Sequence, residues 1–259
     1  MPNLKRLLRS ISIALLLGYV GMGLFLAIFQ RDFIYFPTPK TETTHATMTL
    51  QNENESINII ILNKGYENAI LYFGGNAESM AASADYIAQQ FPTFTIYLMD
   101  YRGYGASTGE ATEVGLFSDA LKLYDTIKPN HNRISVGGRS LGSGVAVHVA
   151  SKREVSKLAL ITPFDSIVSV AEERYPYYPV SFILEDRYDS KSKVKDIQAS
   201  TFIVMAEHDN VISEARTQAL IGAFNPEQLK VKVIKDRGHG DISSDAVYYK
   251  IMQDFIGEG

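Results

Sequence analysis

The chain has no cysteine. That absence excludes disulfides, a thiolate nucleophile, thiolate metal ligands and palmitoylation as an anchor, and it is compatible with either redox compartment. Clustered basic charge is also missing. The formal net charge is −4, and Lys5, Arg6 and Arg9 meet no acid within residues 1–30, so the remainder is more acidic than the total. A nucleic-acid footprint needs basic side chains gathered on one face, which excludes nucleic acid as a partner. None of the five histidines stands in H-E-x-x-H spacing, and residues 138–144 lack the Gly-Lys-Ser/Thr of a phosphate loop; neither a metal nor a cofactor is implied. Without repeats or low-complexity tracts, 259 residues at 46% hydrophobic and 21% charged suit one large α/β domain.

What is present begins with Ile11 to Phe29, nineteen residues without a charge. As a helix they reach roughly 28 Å, close to the roughly 30 Å hydrocarbon thickness of a bilayer. The exit, Leu26-Ala27-Ile28-Phe29-Gln30-Arg31, is bulky, whereas a cleaved signal peptide ends in small residues. The expectation is therefore a basic flank over 1–10, a single-pass signal anchor over 11–29 and a juxtamembrane segment over 30–46. The positive flank stays cytoplasmic, which places the remaining domain, 47–259, on the extracytoplasmic face of the membrane.

From Ala69 the pattern alternates strand and helix: Ala69–Phe73, Ala77–Gln90, Thr95–Asp100, Glu113–Ile127, Arg133–Gly137, Leu141–Ser151 and Leu158–Ile161. Two earlier strands, Thr47–Leu50 and Ile57–Leu62, flank a polar turn. Such alternation builds a mostly parallel sheet with helices on both faces, and sites gather at the carboxyl ends of its strands. Gly138-Arg139-Ser140-Leu141-Gly142 fits the nucleophile-elbow pattern G-x-S-x-G, in which a sharp strand-to-helix turn raises the serine hydroxyl above the sheet. Glycines let strand and helix pass where a Cβ would collide. The Leu141 amide, at a helix N-terminus, is the natural first oxyanion donor.

A serine needs a base and an orienting acid, in the chain order Ser, acid, His. His239, bracketed by Gly238 and Gly240 after the strand run Leu229–Ile234, is the candidate base. Asp209, leaving the strand Thr201–Ala206, is the favoured acid; Glu207, Asp236 and Asp241 remain rivals that spacing does not exclude. The second oxyanion donor is sought after Ala69–Phe73, where Gly74-Gly75-Asn76-Ala77 offers the Asn76 amide. In the glycine-rich loop Asp100–Gly109, Asp100 and Arg102 can pair, a structural role. Between Phe164 and Ala199 the alternation is interrupted by an aromatic- and proline-rich stretch, which reads either as packed surface or as a small cap walling an acyl pocket. Phe33-Ile34-Tyr35-Phe36-Pro37 lies against the membrane interface or covers the first strands.

Together these segments resemble the bud-emergence-type branch of the α/β-hydrolases, related to the alpha/beta-hydrolase-domain proteins. The likeness runs through Phe33–Pro37, Phe73-Gly74-Gly75-Asn76-Ala77-Glu78, Asp100–Gly109, Gly138–Gly144, Thr162–Ser166, Asp186-Arg187-Tyr188-Asp189-Ser190 and Asp209 to His239. It implies the α/β-hydrolase fold with a small cap over 164–199, and a triad of Ser140, Asp209 and His239 with oxyanion amides at Asn76 and Leu141. The chain departs from the family's pattern at Gly74, Ala206 and Ser213, which bear on pocket shape. The function so implied is a membrane-anchored serine hydrolase of an ester, thioester or lipid-like substrate. A serine peptidase and a non-catalytic membrane-tethered scaffold are the alternatives.

Overall fold

The structure is a computed structural model that describes residues 2–257. Its elements in chain order are α1 (Pro2–Ile28), α2 (Gln30–Ile34), β1 (Ala46–Asn52), β2 (Glu55–Leu62), β3 (Asn68–Phe73), α3 (Met80–Gln90), β4 (Thr95–Met99), α4 (Glu113–Ile127), β5 (Arg133–Arg139), α5 (Leu141–Lys152) and β6 (Lys157–Ile161). There follow α6 (Ile167–Arg174), α7 (Val180–Ile183), α8 (Ser190–Lys193), β7 (Ser200–His208), α9 (Glu214–Ile221), β8 (Leu229–Gly238) and α10 (Ala246–Gly257). The eight strands form one sheet in the order β1-β2-β4-β3-β5-β6-β7-β8. The β1–β2 and β2–β4 pairs are antiparallel, and every pair from β4–β3 onward is parallel. This is the mostly parallel sheet expected from the alternation, in the α/β-hydrolase architecture that the resemblance implies.

The sheet is covered on both faces because its central strands are apolar throughout; all of β4 is buried. On one face Leu71, Val136, Leu158 and Ile203 pack with Leu116, Leu123, Val145 and Val149 of α4 and α5. On the other Ile70, Ile96, Ala159 and Val204 meet Ala84 and Ile87 of α3 and Tyr248, Met252 and Phe255 of α10. α3 starts three residues later than the pattern suggests. Ala77 adopts φ +58, and the helix begins only after Ser79, whose hydroxyl accepts the Ala82 N–H.

The expected pairing of Asp100 with Arg102 is not made. Asp100 instead accepts from Asn58 Nδ2 (2.8 Å) and Ala106 N (3.2 Å), which ties the glycine-rich loop to β2. Arg102 makes a fork to Asp119, with Nε donating to Oδ2 at 2.8 Å and Nη2 to Oδ1 at 2.9 Å, and its Nη1 reaches Glu53 at 3.0 Å. Asp119 lies on α4 with no solvent exposure, so the fork satisfies a carboxylate that water cannot reach. Backbone neighbours along the loop conceal this partner, which is brought in by α4.

α1 is one continuous helix that outruns the charge-free span at its N-terminal end, and its surface is almost entirely outside the protein core. It breaks at Phe29, and α2 turns the chain into the domain.

Two predictions concern stability. Arg102→Ala leaves the Asp119 charge buried and unpaired and is expected to cost about 3–5 kcal/mol of unfolding free energy, read by denaturant titration. His148 on α5 is stacked face to face on Phe117 at 3.9 Å, and burial, together with Lys193, Lys152 and Arg153, lowers its pKa to about 4. The unfolded chain then binds the proton first, so stability is full above the ordinary histidine pKa of about 6.5 and falls as pH drops from there towards about 4. A His148→Phe variant is expected to lose melting temperature less steeply over that window in a pH series.

Candidate active site

Four loops at the carboxyl ends of β3, β5, β7 and β8 converge above the sheet. Parallel register sets their order. Phe73 pairs with Gly138, so the loop after β3 stands beside the turn after β5. His208 pairs with Gly238 beyond a bulge at Ala206–His208, so Asp209 and His239 are the next residues on adjacent chains.

Ser140 occupies the turn from β5 into α5 with φ +49 and ψ −118, a backbone conformation that side chains other than glycine rarely adopt. The turn is held by Ser140 N donating to Ile161 O (2.9 Å) and by Ser143 Oγ donating to Ser140 O (2.6 Å). A Cβ at Gly138 would stand 2.3 Å from Gly142 O, and one at Gly142 would stand 2.1 Å from Phe73 O. Both glycines are therefore fixed by the closeness of α5 to β5 and β3.

His239 Nε2 lies 2.9 Å from Ser140 Oγ. Its Nδ1 lies 2.8 Å from Asp209 Oδ2 and 3.0 Å from Oδ1. An ionised carboxylate only accepts, so Nδ1 carries the proton and a neutral ring turns its Nε2 lone pair to the serine hydroxyl. Asp209 is itself held, because Oδ1 accepts the N–H groups of Val211 (2.9 Å) and Ile212 (2.8 Å). None of the rival acids is hydrogen-bonded to His239 among the described residues, and two of them are engaged elsewhere. Glu207 accepts from Asp236 N (2.9 Å), and Asp241 accepts from Gly238 N (2.7 Å) and pairs with Arg237.

The N–H of Leu141 opens α5 and so has no intrahelical acceptor, and the N–H of Asn76 makes no hydrogen bond among the described residues. Both residues border the cavity over Ser140. The Asn76 side chain is occupied: Nδ2 donates to Ile34 O (2.6 Å), and Oδ1 accepts from Phe36 N (2.8 Å) and Tyr104 Oη (2.7 Å).

Two contributors escaped the sequence reading. Arg139, the variable residue before Ser140, sends Nη2 to His239 O (3.0 Å) and Gly240 O (3.1 Å), which fixes the histidine loop. Burial lowers its pKa, but the Glu78 carboxylate and nearby tyrosines outweigh this and hold it above the ordinary arginine value. Glu78 in turn accepts the Gly75 N–H at 2.7 Å. A charged residue inside an elbow motif was the available signal. The second contributor is the end of the N-terminal helix. A cavity of about 660 Å³ over Ser140 is walled by Phe164, Ile167 and Val170 of the 164–199 region, by Val180, Ile183 and Leu184 beyond them, and by Leu26, Phe33, Ile34 and Phe36. Of the stretch Phe33–Pro37, Phe33, Ile34 and Phe36 thus border the cavity, while Tyr35 is buried with its hydroxyl 3.0 Å from that of Tyr188. Among the described residues, Glu207, His208 and Asp236 bring ligand atoms within 4.8 Å of one another; all three are exposed, and none borders the cavity.

No family model matches the chain. An esterase from Pyrococcus furiosus superimposes with a TM-score of 0.66 over 86% of this chain and 98% of that one, at 16% identity. The chain has the α/β-hydrolase fold. An uncharacterized protein of Mycobacterium tuberculosis is 26% identical, covering 92% of this chain and 91% of that protein. The protein bem46 of Schizosaccharomyces pombe is 25% identical over 73% of this chain and 67% of its own length. The lysophosphatidylserine lipase ABHD12 of Xenopus tropicalis is 30% identical over 73% of this chain, which spans 57% of that protein. Within the α/β-hydrolases the chain is similar to the bem46 and alpha/beta-hydrolase-domain proteins.

Gly142→Ala is expected to push α5 away from Phe73 O and Gly74 O and to lower ester turnover at least tenfold, by the sensitivity of catalysis to displacements of about 1 Å. Assay of the folded variant, checked by circular dichroism, tests this.

Proposed function

We propose that this hydrolase is a membrane-anchored serine enzyme that cleaves a carboxylic ester or thioester of an amphiphile through an acyl-enzyme. The observation that carries the reading is the hydrogen-bonded line from Asp209 through His239 to Ser140 at the floor of an apolar cavity. Ser140 Oγ attacks the substrate carbonyl carbon as its proton passes to His239 Nε2. The oxygen of the tetrahedral intermediate takes up negative charge facing the N–H groups of Leu141 and Asn76. The intermediate collapses with breakage of the bond to the alcohol or thiol, which leaves with the proton from His239. Water then repeats the sequence on the acyl-enzyme, giving its proton to His239 and releasing the acid and the Ser140 hydroxyl. Asp209 holds the ring in the tautomer that these transfers require and stabilises the imidazolium.

Most of the cavity wall is aliphatic and aromatic, which suits an acyl chain; of the charged side chains that border it, Arg139 is engaged with the His239 and Gly240 carbonyls and Glu78 with the Gly75 N–H. The relative ABHD12 is named a lysophosphatidylserine lipase, which agrees with an acyl substrate. The apolar length and exposure of α1 support its spanning a bilayer, and Lys5, Arg6 and Arg9 support a cytoplasmic N-terminus with the hydrolase domain on the other side.

Fluorophosphonate labelling of the solubilised protein is expected to modify Ser140 and to vanish in Ser140→Ala. His239→Ala is expected to lower kcat/KM on acyl esters by roughly 10³-fold or more, and Asp209→Asn by roughly 10²-fold or more, with folding retained. Undiminished turnover in His239→Ala would overturn the assignment. External protease on intact cells is expected to degrade the domain; a protected domain reverses the orientation.

A further inference from the structure

The region between α6 and the chain leading to α8 carries a second apolar surface that hydrolysis does not use. From Tyr175 to Leu184 there are ten residues without a charge, bounded by Arg174 and by Glu185-Asp186-Arg187. Phe182 is 91% exposed and Tyr177 is 83% exposed, more than any other large apolar side chain among the described residues. Neither borders the cavity.

This segment is fastened to the N-terminal helix at two levels. At the lower one, Arg31 pairs with Glu185 (2.9 Å) and with the buried Asp186 (3.1 Å), and Gln30 Oε1 accepts the Glu185 N–H at 2.7 Å. At the upper one, Tyr19 stacks on Tyr178 with centroids 4.8 Å apart and planes 8° from parallel, and Tyr19 Oη donates to Tyr177 O at 2.7 Å. Tyr19 stands nine positions before Ile28, where α1 ends, which is about 13 Å of helix. The segment therefore climbs well into the charge-free span Ile11–Phe29, and its charges are confined to the level where that span ends.

We propose that Tyr175–Leu184 enters the same bilayer leaflet as the C-terminal half of α1, so that the cavity over Ser140 opens to lipid. The proposal rests on the reading of α1 as a membrane anchor. Two elements fastened side by side over that height share one environment. A leaflet that surrounds α1 from Tyr19 onward also surrounds Tyr177 and Phe182, whose exposure is then contact with acyl chains and the headgroup boundary. The paired charges of Arg31, Glu185 and Asp186 mark the water side. Leu26 and Phe33 from the helix and Val180, Ile183 and Leu184 from the segment wall the cavity, so an amphiphile reaches Ser140 by sliding between them, with its acyl chain remaining in an apolar medium.

The chain has no tryptophan, so a single introduced one reports its own surroundings. The full-length variants Phe182→Trp and Leu16→Trp are reconstituted into phosphatidylcholine vesicles with and without brominated acyl chains. Blue-shifted emission quenched by the brominated chains in both variants is the expected result. Quenching of Leu16→Trp with red-shifted, unquenched Phe182→Trp overturns the proposal and leaves the anchor intact. Absence of quenching in both overturns the anchor reading and the proposal with it. In parallel, Phe182→Asp is expected to lower hydrolysis of a long-chain ester embedded in vesicles by about tenfold, while turnover of a water-soluble short-chain ester in detergent stays within about twofold. An equal effect on both substrates, or no effect on either, counts against lipid entry by this route.

Discussion

Gly142 passes so near β3 that a methyl group there would overlap the carbonyl oxygens of Phe73 and Gly74. That contact fixes the first turn of α5 against the sheet, and Ser140, one residue before the helix, has nowhere to go but into its strained turn. The same approach brings the loop after β3 alongside, so that the Asn76 and Leu141 amides share one cavity. On the other side of the elbow, Arg139 fixes the histidine loop through two carbonyls. The strain at Ser140 persists because packing on both sides over-determines it.

Electrostatic order within the domain follows a consistent rule: each buried charge is forked or multiply hydrogen-bonded. Asp119 receives Arg102 and Asn52, Asp186 receives Arg31 and the Glu113 N–H, and Asp209 receives two backbone amides and His239. These carboxylates differ in what they orient rather than in how they are kept soluble in the protein. Asp119 holds a loop, Asp186 holds the chain that follows the N-terminal helix, and Asp209 holds an imidazole.

The sheet and its helices were legible because apolar runs alternate with periodic segments, and most boundaries read from that pattern fall within a few residues of those observed. The elbow was legible because its glycines are steric necessities. Adjacency of Asp209 and His239 was legible as an inference about neighbouring strand ends, though not the bulge at Ala206–His208 that sets their level. Choosing among Glu207, Asp209, Asp236 and Asp241 needed the hydrogen bonds, since all four are acids within reach of the same loops. Least legible was the joining of residues 19–36 to residues 175–188. Tyr19–Tyr178, Arg31–Asp186 and Tyr35–Tyr188 are pairs more than 150 positions apart, and nothing local to either partner announces the other. The Arg102–Asp119 fork, between residues 17 positions apart, was missed because α4 rather than the loop itself brings in the partner.

The strand order has a consequence in time. Ser140 stands in the middle of the chain, whereas His239 follows β8, the edge strand and the last to leave the ribosome. A nascent chain can pair β1 to β6 while Ser140 still lacks both His239 and Asp209. The hydroxyl acquires its neighbours only when β7 and β8 dock, a long-range closure of the kind that comes late in folding. The line from Asp209 through His239 to Ser140 is thus absent while the chain is being made, and it is assembled only once the domain is whole.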